Sequence, residues 1–337
     1  MRVSRRRISK RAAGGGALIA LGLSLLIALA GVWTYAGPGP KAREGAATVV
    51  VLERGSGVAR IGQTLQAAGV ISSASLFALA ARMTGAAGDL KAGEYEFRTG
   101  ASMAQVLGDI RSGKVVRRSI TIPEGWTSGM VLDAVNASPV LTGTAAEPPE
   151  GSVLPDTYDI QRGESREAVI QRMREAHDEV LAKLWAARQP GLPLASPQEA
   201  VILASIVEKE TGVAAERPRV AAIFINRLRA GMLLQSDPTI IYGLTKGRPL
   251  GRGIRASELA ADSPWNSYKV AGLPPGPIAN PGRESLAAVL NPPKTDEFYF
   301  VADGTGGHAF ATTYEQHEKN VQRWRQIERD RAATGGR

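Results

Sequence analysis

Two regimes of apolar spacing divide this 337-residue chain. The first is a solid block. Residues 12–36 carry no charge, and the stretch from Ala17 to Val32 is apolar apart from Gly22, Ser24 and Gly31. A helix rising about 1.5 Å per residue covers a bilayer core of about 30 Å in some 20 residues, so this block is long enough to span one. Trp33 and Tyr35 close it where aromatic rings favour the membrane interface, and Gly37-Pro38-Gly39-Pro40 ends the helix. Beyond a polar tether at 41–47 the apolar residues are spaced, and the spacing predicts short elements. Thr48–Leu52 reads as a strand, Val58–Ala68 as an amphipathic helix, and Ser72 or Ser73 caps a second helix running to about Met83. Leu90–Arg98 returns as a strand. Ser102–Ser112 is a further helix closed by Gly113, and Val115–Ile122 alternates as a strand.

The second half is richer in helices. A Pro/Gly/Thr/Ala-rich loop at 137–151 leads to an extended segment at 152–160 and a long amphipathic helix at 166–188. Ser196–Gly212 carries its own boundaries: Ser196 and Glu199 form a capping box, Pro197 suits the first helical position, and Gly212 suits the stop. This helix is apolar nearly all round, which predicts burial. Val220–Arg229 is the next apolar helix. Met232–Gly243 follows as a polar knot between apolar flanks, then a long stiff loop at 263–282 full of Pro and Gly. A loop of that length in a compact domain is usually functional. Ser285–Leu290 is a short helix. Strands at Phe298–Ala302 and around Phe310 bracket the turn Asp303–Gly307, and a charged helix runs from Thr313 to about Arg331.

Charge and composition narrow the chemistry. The net charge of +9 is concentrated in Arg2, Arg5, Arg6, Arg7, Lys10 and Arg11; the other 35 basic residues face 32 acidic ones. No basic stripe is left for nucleic acid. The positive N-terminal cluster instead orients the apolar block, with a short tail inside the cytoplasm and everything after about Gly37 outside. An uncleaved anchor is expected rather than a signal peptide, since the block exceeds a usual signal core. There is no cysteine, and His177, His308 and His317 are scattered, so neither a metal nor a cofactor is expected.

The candidate chemistry sits at the far end of the buried helix. A carboxylate there opposes the helix dipole at the edge of an apolar segment, and both effects raise its pKa toward that of a general acid. Two glutamates compete. At about 100° per residue, Glu208 shares a face with Val201, Ala204, Ser205 and Thr211, which are small or hydroxylated. Glu210 shares one with Leu203, Ile206 and Val207, the bulky side. The expectation is therefore Glu208 as acid and Glu210 as support.

Several words along the chain, taken in order, resemble the MltG (YceG-like) endolytic murein transglycosylase family. They are Leu203–Thr211, Phe224–Leu228, Gln235-Ser236-Asp237-Pro238-Thr239, Ala271–Ile278, and Tyr299–Gly304 with Gly307, His308 and Phe310. Departures occur at Ser152, Leu154 and Trp265, where the family favours other residues. The segment 48–122 also resembles, in its strand–helix–helix–strand order, the glycan-binding LysM module. The resemblance implies an α+β fold. Residues 1–11 would be a cytoplasmic tail, 12–36 a transmembrane anchor, 37–47 a tether and 48–122 a LysM-like module. A mixed α+β catalytic domain built around the buried helix would fill 123–330, ahead of a tail at 331–337. It further implies a peptidoglycan lyase of the bacterial inner membrane, facing the periplasm. That enzyme cuts the MurNAc–GlcNAc bond of nascent strands to leave 1,6-anhydro ends, and peptidoglycan synthases are expected partners. The resemblance puts the acid on Glu208, orientation of the site on Gln235 and Asp237, sugar contact on Asn266 and Tyr268, and support on Glu210, Tyr242 and His308. A lysozyme-type hydrolase and a non-catalytic glycan-binding scaffold are the alternatives.

Overall fold

The computed structural model describes residues 10–333, with side chains from Leu21 onward. The tail at 1–9 and the last four residues lie outside the described residues, as do the side chains of 10–20, over which the first part of the expected anchor runs. Helix α1 covers Lys10–Ala36. Among the described residues no helix is long and apolar enough to cross a membrane. The chain separates into two compact units, one ending at Arg118 and the other beginning at Ser119.

In the first unit, strand β1 (Ala47–Leu52) is followed by helices α2 (Val58–Ala67) and α3 (Ala74–Met83), strand β2 (Gly93–Arg98) and helix α4 (Met103–Ser112). The two strands pair antiparallel, Ala47 opposite Arg98 and Leu52 opposite Gly93. Period-two alternation places Val50, Leu52, Tyr95 and Phe97 on one face. These pack on Ile61 and Leu65 of α2, Phe77 of α3, and Val106 and Ile110 of α4. Both later helices start where the sequence indicates. Ser73 accepts the Leu76 amide, and Ser102 forms a reciprocal capping box with Gln105.

The second unit holds the remaining elements: β3 (Arg118–Thr121), α5 (Ser128–Ala137), β4 (Thr157–Ile160), α6 (Arg166–Ala186), α7 (Pro197–Glu210), α8 (Arg217–Arg229), α9 (Asp237–Thr245), α10 (Ala256–Leu259), α11 (Arg283–Leu290), β5 (Tyr299–Ala302), β6 (His308–Ala311) and α12 (Tyr314–Ala333). The fold is α+β, with each strand pair forming its own two-stranded sheet. Strand β3 is shorter than the expected 115–122 and pairs with β4 of this unit. Helices α5 and α9 occupy stretches where the apolar spacing predicts none. Each is short, and Gly129 and Gly243 dilute their periodicity. Helix α7 runs through the larger core. Residues Ala200 to Val207 are all buried, against α8 and α11 and against Leu234, Tyr242 and Ile278. Burying a Leu- or Ile-sized side chain stabilises by about 1.5–3 kcal/mol, so α7 is firmly anchored in this unit.

Candidate active site

The last turn of α7 presents its two glutamates to different neighbours. Glu208 turns toward α8 and the loop before α11. One oxygen accepts from Arg217 Nη2 at 3.2 Å, the other from the Gly282 amide at 2.8 Å, and only 5% of its side chain is exposed. Arg217 is itself buried and also reaches Glu124, at 3.3 Å. Glu124 lies above the usual carboxyl range because of burial and the nearby Glu208 charge, with Arg217 pulling the other way. The fit is close enough that a side chain at Gly282 would collide with the Glu124 carboxyl group. Three segments are thereby tied together: the turn after β3, the end of α7 and the start of α11. The tie is completed by backbone bonds from Gly125 N to Asn280 O at 3.0 Å and from Asn280 N to Trp126 O at 2.8 Å.

Glu210 turns the other way, toward the entry to α9. Ser236 Oγ donates to it at 2.5 Å. Burial pushes its carboxyl from the usual 4.5 up to about 7; the Ser236 bond and the charges of His308 and Arg227 pull down, while Asp237 pushes up. Arg227 is spent on structure, donating to the carbonyls of Leu234 at 2.7 Å and Phe298 at 2.7 Å. Around Glu210 a seryl and threonyl knot fixes the backbone. Ser267 Oγ lies 2.8 Å from Thr239 Oγ1 and accepts from the Ser236 amide at 2.9 Å. Gln235, just before, is left-handed with φ of 52°. A non-glycine residue in that region costs about 1–3 kcal/mol and persists only where its surroundings enforce it. Here the Gln235 amide is held by Ser267 O at 3.0 Å. The twist keeps Leu234 and Ser236 buried while Gln235 and Asp237 stand exposed.

The expected site residues fall into groups. Gln235, Asp237 and Tyr268 form an accessible rim beside Glu210, with the Tyr268 hydroxyl donating to Asp237 at 2.7 Å. Asn266 does not join them, and the expectation of sugar contact is corrected. It is fully buried, its amide donates to Leu259 O and Ala261 O, and its oxygen accepts the Tyr268 amide. It shapes the loop. Tyr242 is buried against Trp265 with ring centroids 4.6 Å apart, and its hydroxyl donates to Glu150 at 3.2 Å. His308 binds Glu216 through its amide, at 2.9 Å, and through Nδ1, at 2.7 Å. Expectations from spacing alone did not include Glu124, Arg217, Glu150, Ser236 or Asn280. All of them lie 9 to 154 positions from the partners they hold, beyond any local pattern. Among the described residues no three His, Asp or Glu side chains converge as a metal site.

The chain matches the model of the YceG-like family over residues 50–323. It belongs to that family. Similar proteins include one from Streptococcus pneumoniae serotype 2 (strain D39), 30% identical over 322 residues covering 81% of this chain. Another, from Bacillus subtilis (strain 168), is 28% identical over 303 residues, covering 80% of this chain and 82% of the relative. Both are named endolytic murein transglycosylase. The chain spans 57% of the pneumococcal relative's length. A crystal structure of a putative yceG-like protein from Listeria monocytogenes superposes with a TM-score of 0.52 at 30% identity, covering 81% of this chain and 98% of that one. The YceG-like match contains both glutamates of α7 and the whole rim.

Proposed function

We propose that this YceG-like chain is a membrane-anchored endolytic peptidoglycan lytic transglycosylase whose acid and base is Glu210. The names of the relatives support the substrate and reaction class. The observation that carries the assignment within the chain is the Glu210 environment. Its carboxyl is pushed up to about 7, fixed by Ser236, and bordered by the exposed Gln235 and Asp237 and the half-buried Tyr268. Near neutral pH such a group is protonated in a large fraction of molecules and still yields its proton readily, the compromise a general acid needs. Glu208 is engaged by a buried guanidinium and a backbone amide, which suits a structural post. This reverses the preference drawn from helix faces.

The reaction then needs one carboxyl group. Glu210 protonates the glycosidic oxygen as the bond from the anomeric carbon of N-acetylmuramic acid breaks. Positive charge spreads over the anomeric carbon and ring oxygen. The resulting carboxylate takes the proton of that sugar's own 6-hydroxyl, whose oxygen closes on the anomeric carbon. The products are a 1,6-anhydro end and a free hydroxyl on the departing strand. A hydrolytic reading is favoured by one observation. Asp237 is close enough for its charge to act on Glu210, and a second carboxylate is what a water-activating muramidase requires. Mass spectrometry of products from purified murein separates the two. Anhydro ends are expected; reducing ends alone would establish the hydrolase.

The anchor belongs to the same proposal. The six basic residues between Arg2 and Arg11, followed by the uncharged 12–36, support a single pass with the second unit outside the cytoplasm. The β1–α2–α3–β2 order of the first unit supports a LysM-like module. A reporter active only in the cytoplasm, fused after Arg337, is expected to stay silent.

A further inference from the structure

Beside the acid lies a cavity of about 500 Å³ that the glycan chemistry leaves unused. Its walls come from the turn after β3, from α5, from α9 and from the loop that follows α9. It shares residues with both flanks of the α7 terminus. Lys209 lies between the two glutamates, Pro238 directly follows Asp237, and Glu124 belongs to the Arg217 network. The volume falls within the range of pockets that enclose a drug-sized ligand.

The lining does not suit a sugar. A pyranose offers a ring of hydroxyls and asks for several fixed donors and acceptors. Among the lining residues there is no Ser, Thr, Asn, Gln, Asp or Tyr side chain. The walls are Trp126, Met130, Ile241, Leu250 and Ile278 with two prolines, and the charged groups are one ammonium, Lys209, and one carboxyl, Glu124. Lys209 Nζ donates to Gly125 O at 3.3 Å and is otherwise exposed, so an ammonium with three donors has capacity left. Glu124 keeps 43% of its side chain exposed beyond its contact with Arg217. Gly247 closes the far wall: its backbone is left-handed, and a side chain there would collide with Thr127.

A short peptide with small apolar side chains, a free carboxylate and an ammonium complements this lining. Murein strands carry such a peptide on the lactyl group of each N-acetylmuramic acid. We infer that the cavity bounded by Trp126, Met130, Ile241, Leu250 and Lys209 is a subsite for the stem peptide, holding it while the glycan lies along the Gln235–Asp237–Tyr268 rim. This inference rests on murein being the substrate. Lys209 pairs with the α-carboxylate of the isoglutamyl residue, Glu124 faces the ammonium of the diamino acid, and the aliphatic wall takes the alanyl methyls.

The test uses the full chain and two substrates differing only in the peptide: intact murein strands, and the same strands stripped of stems by an amidase. Alongside, binding of the free tripeptide L-Ala-γ-D-Glu-diaminopimelate is followed calorimetrically, independently of cleavage. Met130→Trp narrows the cavity and Leu250→Asp puts into its apolar wall a charge of the same sign as the peptide carboxylate. Both positions are only half-buried, which limits the risk to folding. Wild type is expected to cut intact strands with at least about tenfold higher kcat/KM than stripped strands, the equivalent of one well-made contact set. Both variants should lose that preference and the tripeptide while cutting stripped strands within about twofold of wild type. Equal cutting of both substrates by wild type, or variants that keep tripeptide binding, would overturn the subsite. So would variants with unchanged melting temperature that fail equally on both substrates, since the cavity would then belong to the glycan path. Tripeptide binding that is lost in the variants of a chain unable to cut any murein would keep the subsite and remove the lyase reading.

Discussion

Glu208 and Glu210 leave the same turn of α7 about 200° apart and enter opposite kinds of surroundings. On the Glu208 flank the carboxylate is held by structural partners, Arg217 and the Gly282 amide, and the surroundings are tied by Glu124 and the crossed backbone bonds of Gly125 and Asn280. On the Glu210 flank the buried hydroxyl knot ends at an exposed rim, and the carboxyl is pushed up to about 7. A helix end can thus be fastened on one side and left chemically poised on the other. Which side is which depends on what α8, α9 and α11 bring, not on the helix.

The comparison breaks most decisively on Glu210→Gln. The amide keeps shape and can still accept from Ser236 but has no proton to give. Cleavage of murein is expected to fall by about 10²–10⁴-fold or more, with an unchanged fold by circular dichroism. Near-normal turnover in this variant, with a dead but folded Glu208→Gln, would return the acid to Glu208. The next largest effect lies on the fastened side. Arg217→Met strands the buried Glu208 charge and should lower stability by about 3 kcal/mol or more, read as a drop in melting temperature. A variant with unshifted melting would show that the network fastens nothing.

The pH dependence sharpens the contrast. Glu210 has a folded value near 7 against the usual 4.5, so between these values the folded state holds a proton that the unfolded chain has released. Its contribution is therefore fully present below about pH 4.5 and is lost as pH rises through about 7. The melting temperature of wild type should fall across that window more steeply than that of Glu210→Gln, and kcat should decline above about pH 7 as the acid ionises. Smaller again is Tyr268→Phe, which removes the 2.7 Å bond to Asp237. One such bond contributes about 1 kcal/mol net, so a loss of up to about fivefold in kcat/KM is expected. Asn266→Ala should instead lower melting without raising KM beyond what partial unfolding explains, because its amide serves Leu259 and Ala261.

The sequence was most readable where the signal is local. The box at Ser196 and Glu199, Pro197 and the apolar run located α7 to within two residues, and Ser73 and Ser102 marked two further helices. The α+β class was legible through the family resemblance, and the structure bears it out. What was not readable is what comes together from afar. The face of small residues around Glu208 looked like room for a ligand, yet Gly282, 74 positions on, fills it. The bulky face around Glu210 did meet the core, but only up to Val207; beyond it the chain entering α9 supplies Ser236 and the rim. Asn266 was a plausible sugar contact as a residue type, and its burial could not be inferred from a loop of prolines and glycines.

Ser236 occupies the position before α9 where a serine ordinarily caps, yet its hydroxyl makes no cap bond and goes to Glu210 instead. A missing serine cap costs a helix about 1 kcal/mol. With its hydroxyl turned to the carboxyl, Ser236 leaves the first turn of α9 without a side-chain cap, so α9 is held less firmly. Removing Glu210 altogether would leave the Ser236 side chain free to turn toward α9 and would relieve an awkward acid pushed up by burial. A library of this protein sorted for thermal stability alone should therefore drift toward loss of Glu210, and toward inactive chains.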